Sequence, residues 1–343
     1  MKKLCPKLKV IKAIIQHKDM DIESKIFLVE EHTKYLRYCI KATKEIKDII
    51  SAIDSDDLPR LEKQIDAYIE RYDESDMMYH YCSMEAFEGI LSSKSLWLSD
   101  SMFMNDKYEG RWIDKIVEEV ILALKDEYSE YQLAKYTMQF NTLKDKKAYM
   151  CCFSKESDKL SQWRAYAKDA TGVAIGFSRT AMGLICDFDF ELALMDVLYN
   201  KEKHIHIIKE SIKLSLDNDY IGNDKELSHY FKNPSFYEEE EVRFLYTPEN
   251  DMSQHTFADP LASKYYELMS NNISHIKQRV REGEEIPYFE YDLTGTMKGF
   301  SSELIPKIVI GPRNRTDLKQ IQELLKKQGL DGTEIVYSES SYI

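Results

Sequence analysis

The chain has 343 residues, 43% hydrophobic and 31% charged, a globular balance long enough for two domains or for one large domain with an appended piece. A formal net charge of -13 argues against sequence-independent affinity for a nucleic-acid backbone, although it leaves room for an enzyme that acts on nucleic acid through a local basic groove. Only 12 glycines are present, and neither GxGxxG nor GxxxxGK followed by Ser or Thr occurs, so dinucleotide-fold and P-loop readings fail at the first test.

No run approaches the length of a membrane span, and Lys9 and Lys12 interrupt the apolar Leu8–Ile15 stretch, so neither a leader nor a membrane partner is expected. The six cysteines show no paired CxxC spacing. Neither a zinc site nor a disulfide framework is indicated, no metal is expected, and a reducing cytoplasm fits best.

Residues 1–73 read as a separate helical extension. Ile22, Ile26, Val29, Leu36, Ile40 and Ile46 fall on one face, and Asp56-Asp57 before Pro59 marks a second helix start. A helical hairpin that packs on itself, on the main body or on a partner protein is expected. Asp73-Glu74-Ser75-Asp76 ends it, and a second domain follows over 77–343.

That domain opens with a short strand, Met77–Cys82, followed by a helix that Ser83 caps and a strand at Leu96–Leu98. A polar loop spans Ser99–Glu109, and helices follow near Trp112–Leu124 and over residues 127–140. Ala148–Phe153 reads as a buried strand, and Leu160, Trp163 and Ala167 as a helix with Asp158 as its cap. Val173–Phe177 is then a further strand. A strand at Leu192–Tyr199 and a helix over residues 201–216 lead to the acidic-aromatic segment Phe236–Tyr246. The remaining elements are a helix over 263–281, strands at Tyr288–Asp292 and Ile305–Ile310, a helix at Asp317–Lys327 and a strand near Glu334–Tyr337. Strands and helices lack a βαβ beat, which predicts an α+β fold with a mixed, largely antiparallel sheet.

Three places have the residue types for chemistry. His80 sits between two tyrosines on the first strand, a setting that more often holds a structural histidine. Glu239, Glu241 and Arg243 alternate onto one side if Glu241–Tyr246 is a strand. They form either a solvated salt-bridge surface or a site in which a carboxylate stabilises a developing cation. Gly311-Pro312-Arg313-Asn314-Arg315, between a strand and a helix start, is either an anion seat or an exposed basic turn.

Several motifs together resemble the domain of unknown function 2971 family. Tyr79-His80-Tyr81-Cys82-Ser83, Leu96-Trp97-Leu98-Ser99 and Asn105-Asp106 with Glu109 resemble its opening. Cys152-Phe153-Ser154, Leu160-Ser161-Gln162-Trp163, Tyr166-Ala167, Gly172-Val173 and Gly176-Phe177 resemble its middle. Glu239-Glu240-Glu241-Val242-Arg243 is similar to its late acidic element, with Val242 where tryptophan is usual. Ile308–Pro312 and Ser338–Tyr342 are similar to its tail, although Ile343 stands where an arginine is frequent. The resemblance covers roughly 77–343.

The arrangement is distantly similar to ADP-ribosyltransferase-like proteins, and the resemblance implies NAD as substrate, that superfamily's sheet architecture, and a set of roles. His80 would bind the ribose, with Tyr81 beside it. Ser154 with Trp163 or Tyr166 would line the nicotinamide pocket, Asn105 and Asp106 would form a loop wall, and Glu241, flanked by Glu239 and Arg243, would be the catalytic acid. Family members also occur among bacterial defence and toxin loci, which implies a toxin-like or anti-phage transferase acting on a protein or nucleic-acid acceptor. The competing reading is a non-catalytic nucleotide- or protein-binding module. Metal-dependent hydrolysis ranks third, because the acidic spacings name no known site. Whether His80 and Glu241 share one cleft is the discriminating observation.

Overall fold

The computed structural model describes residues 77–104, 111–142, 147–186, 192–217, 224–248, 272–281, 283–295 and 299–342. The helical extension expected over residues 1–73 lies outside the described residues, as do Asn105, Asp106 and Glu109. Strand β1 (Met77–Cys82) is followed by helix α1 (Met84–Ser93), β2 (Ser95–Asp100), α2 (Trp112–Ala123) and α3 (Glu130–Thr142). Next come β3 (Tyr149–Ser154), α4 (Leu160–Tyr166), β4 (Val173–Ser178), α5 (Arg179–Cys186), β5 (Leu192–Asp196) and α6 (Lys201–Asp217). The chain continues through β6 (Glu241–Tyr246), β7 (Lys277–Arg281), β8 (Glu284–Asp292), β9 (Lys307–Ile310), α7 (Leu318–Lys327) and β10 (Glu334–Tyr337).

The fold is α+β, as the mixture of periodicities predicts. All ten strands join one open sheet in the order β10-β9-β4-β1-β3-β2-β8-β7, with β6 on β3 and β5 on β6. Among the described strands β9 and β10 pair parallel, and the other ladders are antiparallel. Alternation along the strands divides the apolar side chains between two faces. Met78, Cys82, Phe153, Ile175, Phe177 and Val242 meet Phe87 and Leu91 of α1 and Ile321 and Leu325 of α7 on one face. Each such side chain contributes about 1.5–3 kcal/mol through burial. Tyr79 and Tyr81 occupy the other face under Trp163 and Ala167 of α4. A separate apolar cluster gathers α2, α3 and α6 around Ile116, Tyr136 and Ile208.

What positions the site is a fork in the sheet. On one side, β3 pairs with β6 along its whole length, from Tyr149↔Tyr246 to Ser154↔Glu241. On the other side its partner changes midway. Tyr149 and Met150 pair with Asp100 and Ser99 of β2, while Ser154 pairs with Tyr79 of β1. Cys151, Cys152 and Phe153 have no ladder partner on that side, so β1 and β2 diverge across them. His80 fills part of the gap: its ring Nδ1–H donates to the Cys152 carbonyl at 3.0 Å, replacing a bond that the ladder lacks.

Several local expectations hold. Ser83 accepts from the Ala86 amide as an N-cap, and the helix expected at Asp317–Lys327 forms as α7. Three differ. Asp158 does not cap α4; Lys159 holds that position, and the Asp158 carboxylate accepts instead from Trp163 Nε1, Ser338 Oγ and the Glu339 amide at 2.5–2.6 Å. The helix expected to reach residue 281 gives way to β7, which pairs from Lys277↔Tyr288 to Arg281↔Glu284, so a ladder overrides the helical spacing of Ile273, Ile276 and Val280. The strand expected to run to Tyr199 ends at Asp196.

Candidate functional site

The fork opens into a cleft of about 620 Å³, within the range of small-molecule sites. His80 and Tyr81 of β1, Ser154 of β3, Tyr166 of α4, and Glu239 and Glu241 at the start of β6 all line it. Strict alternation places His80 on the sheet face of Met78 and Cys82, opposite Tyr81, so the ring reaches the cleft only because the sheet splits beside it. Two other predicted residues do not line it. Trp163 is wholly buried, with its indole N–H on Asp158 and its ring edge-on to Tyr81 at 4.7 Å. Arg243 is also wholly buried, and it reaches the site through Glu241.

The acidic wall is built from a turn. Asn233 caps a short 3-10 helix, Pro234–Glu239, and Glu240 at φ 43° adopts the left-handed conformation that redirects the chain into β6. Glu239 and Glu241 thereby both address one ammonium. Lys232 Nζ donates to Glu239 Oε2 at 2.5 Å and to Glu241 Oε2 at 2.9 Å. Arg243 donates from Nε to Glu241 Oε1 at 2.9 Å and from Nη2 to Oε2 at 3.1 Å, and its Nη1 holds the His229 carbonyl. Tyr166 donates its hydroxyl to Glu239 Oε1 at 2.7 Å. Two cations thus balance two carboxylates in a nearly dry setting, the only form in which such charges are buried without large loss.

The electrostatics separate the two glutamates. Burial alone would raise the Glu241 carboxyl, but the Arg243 guanidinium and the Lys232 ammonium outweigh it and hold the carboxyl down to about 2. Glu241 is therefore a permanent anion with both oxygens engaged, and not a proton donor at neutral pH. The side chain of Glu239 keeps 15% exposure against 5% for Glu241, so Glu239 is the carboxylate that a ligand meets first. Burial lowers the His80 ring below its ordinary value, which keeps it neutral; with the proton on Nδ1, its Nε2 is an acceptor. Burial, and then the Glu241 charge, push the Cys152 thiol well above its ordinary value. Burial pushes Cys151 up to about 12, so neither is a thiolate nucleophile.

Lys232, Gln162, Trp97, Arg279 and Arg281 also line the cleft, and the sequence reading assigned none of them to a site. Arg279 and Arg281 alternate on β7 and become legible as a pair only once that segment is a strand. Lys232 has no flanking signal. The Gly311–Arg315 turn is not an anion seat: the Gly311 and Arg313 amides donate to the carbonyls of Gly172 and Ala170, and Arg313 pairs with Asp169. No group of histidine, cysteine or acidic side chains suited to a metal ion occurs among the described residues, nor does a helix long and apolar enough to cross a membrane.

No curated protein matches the chain, and no solved structure does. The stretch from Gln162 on α4 to Phe244 on β6 carries the later part of the middle motif and the Glu239–Arg243 element, and these residues, 162–244, match the model of a protein family of unknown function (DUF2971).

Proposed function

We propose that the cleft binds NAD and that the protein breaks the bond between nicotinamide and ribose, passing ADP-ribose to a macromolecular acceptor or to water. The observation that supports this reading is the meeting of a neutral histidine, a tyrosine and an acidic wall whose Glu241 is held ionised, all in one cleft of nucleotide size. Cleavage of the glycosidic C–N bond sends its electron pair to the pyridinium nitrogen, which becomes neutral without taking up a proton. Positive charge accumulates on the ribose carbon that is left. Such a reaction needs a fixed anion near that carbon and no general acid. The acceptor hydroxyl, amine or water then adds to the carbon and releases its proton.

In this reading Glu239 meets the sugar, Tyr166 orients it, and His80 Nε2 accepts from a ribose hydroxyl. Glu241 is a positioning residue: with Arg243 it fixes Lys232, and Lys232 fixes Glu239. This moves the central role two residues upstream of the one that the family resemblance implies. The test is NAD consumption and nicotinamide release by the wild type, Glu239→Gln and His80→Ala, with a cell extract as a source of acceptor. Loss of turnover in Glu239→Gln with an unchanged unfolding midpoint is expected. Absence of both NAD binding and NAD consumption in the wild type overturns the reading.

The second reading, a nucleotide-binding module without catalysis, draws on the saturation of the acidic wall by Lys232, Arg243 and Tyr166. NAD binding without nicotinamide release distinguishes it.

A further inference from the structure

The cleft has a second end, away from the acidic wall, and its chemistry is opposite. On the β2–β8–β7 part of the sheet, the pairs Trp97↔Glu290, Ser99↔Tyr288, Tyr288↔Lys277 and Ile286↔Arg279 put Trp97, Ser99, Tyr288, Arg279 and Arg281 on one face. Leu96, Leu98 and Tyr291 take the other face and are core. Trp97 stays 42% exposed, its ring tilted on Tyr288 at 4.5 Å, and the Arg279 guanidinium lies 5.5 Å above it.

Both guanidinium groups are held in place, and neither is neutralised by a described residue. Arg279 Nη2 donates to Ser99 Oγ at 2.9 Å, and Arg281 Nη2 donates to the Phe103 carbonyl at 2.7 Å. Neither has a carboxylate within ion-pair distance among the described residues, whereas Lys277 on the same strand is paired with Glu290 at 2.6 Å. Arg279 Nε is buried without a hydrogen-bond partner among the described residues, an arrangement that native structures rarely leave unfilled. Burial, and then the like charge of Arg281, disfavour the Arg279 cation. Two oriented guanidinium groups, without a carboxylate partner among the described residues and beside an exposed indole, are what a doubly charged, planar-ended ligand requires, because arginine forks match phosphate oxygens and the ring offers a stacking surface.

We infer that Arg279 and Arg281 form the diphosphate seat of the cleft and that Trp97 stacks the base, making the ligand class a nucleoside diphosphate. The inference deepens the NAD reading, in which this end takes the ADP half and the acidic wall takes the nicotinamide riboside half. It stands on different residues and is tested without turnover.

The experiment is calorimetric titration of the purified full chain with ADP, AMP and adenosine, for the wild type, Arg281→Ala, Arg279→Lys and Lys277→Ala, with the fold of each checked by thermal unfolding. ADP is expected to bind more tightly than AMP, and adenosine much more weakly. Arg281→Ala and Arg279→Lys should each weaken ADP by about tenfold or more, since a fork bound to phosphate is lost or reduced to a point charge. Lys277→Ala should leave ADP affinity within about twofold. Arg281 is exposed, so its variant tests the seat even if Arg279→Lys fails to fold. ADP affinity unchanged in Arg281→Ala, or equal for ADP and adenosine, overturns the seat. ADP binding that depends on Arg281, with no NAD cleavage, upholds the seat and removes the transferase reading. NAD cleavage that is indifferent to Arg281→Ala does the reverse.

Discussion

Replacing Glu241 by glutamine keeps the side-chain volume and removes one of the two carboxylates from a buried network. Arg243 then lies wholly buried and Lys232 nearly so, and each has lost the Glu241 carboxylate that pairs with it. The size of the loss follows from the acidity of the native carboxyl, which titrates at about 2 where an unperturbed glutamate titrates at 4.5. At roughly 1.4 kcal/mol for each tenfold change in acidity, folding favours the charged form by about 3 kcal/mol. Breaking one side of a buried ion pair by mutation costs about 3–5 kcal/mol, in agreement. Because folding depresses this carboxyl, its contribution is complete above about pH 4.5 and drains away as the pH falls towards about 2. Urea unfolding followed by fluorescence and circular dichroism, from neutral pH down into that window, measures both effects. Glu241→Gln should lose about 3 kcal/mol at neutral pH, and the two stability curves should converge as the wild type is acidified. A loss below about 1 kcal/mol, the size of an exposed pair, or curves that stay parallel through the window, would refute the buried-anion account. Removing both charges with Glu241→Gln and Arg243→Met should recover part of the loss, because the wholly buried guanidinium goes together with the carboxylate that balanced it, while Lys232 keeps Glu239.

Other consequences follow from single contacts. Tyr166→Phe deletes the hydroxyl that donates to Glu239; NAD turnover should fall by about tenfold, while the unfolding midpoint stays nearly constant because Tyr166 is 38% exposed. Asp158→Ala releases Trp163 Nε1 and both tail contacts, so carboxypeptidase should remove residues up to Ser338 faster than in the wild type, and an unchanged digestion rate would count against the clamp. Gly172→Ala places a Cβ 2.0 Å from the Cys82 carbonyl oxygen, a clash with backbone that should cost roughly 3 kcal/mol or more and appear as a low unfolding midpoint. Burial lowers the His80 ring, so any inflection that His80 contributes to the pH profile of NAD cleavage should lie below 6.5. An inflection above that value, abolished in His80→Ala, would show that the ring is charged more readily than its surroundings allow.

Much of the local architecture was legible in the residue order. Ser83 announced its helix because a side-chain oxygen satisfying free amides is a near-neighbour interaction. Glu241 and Arg243 could be placed on one strand face because pleating alone sets that geometry. Asp158 misled, because its position before an apolar helical run looks like a cap, whereas its carboxylate is taken by Trp163 and by a tail nearly two hundred residues away. β7 was read as helix because Ile273, Ile276 and Val280 have helical spacing; its pairing with β8 decides otherwise, and the ladder is worth more than a weak amphipathic preference.

Periodicity, capping and composition by themselves determined the α+β class, most of the strands and helices, and the candidacy of His80, Glu239 and Glu241, while Tyr166 entered through the family resemblance. Only the tertiary structure decided that these residues meet. His80 lies on the wrong face of β1 to join Glu241 by alternation, and the two are brought to one cleft by the exchange of β1 for β2 along β3. It also decided which glutamate is sealed and which is open, and it set Arg279 and Arg281 beside Trp97. The reason is physical: alternation and capping act between residues a few positions apart, while a forked sheet and a buried charge network depend on pairings between segments separated by tens to hundreds of residues.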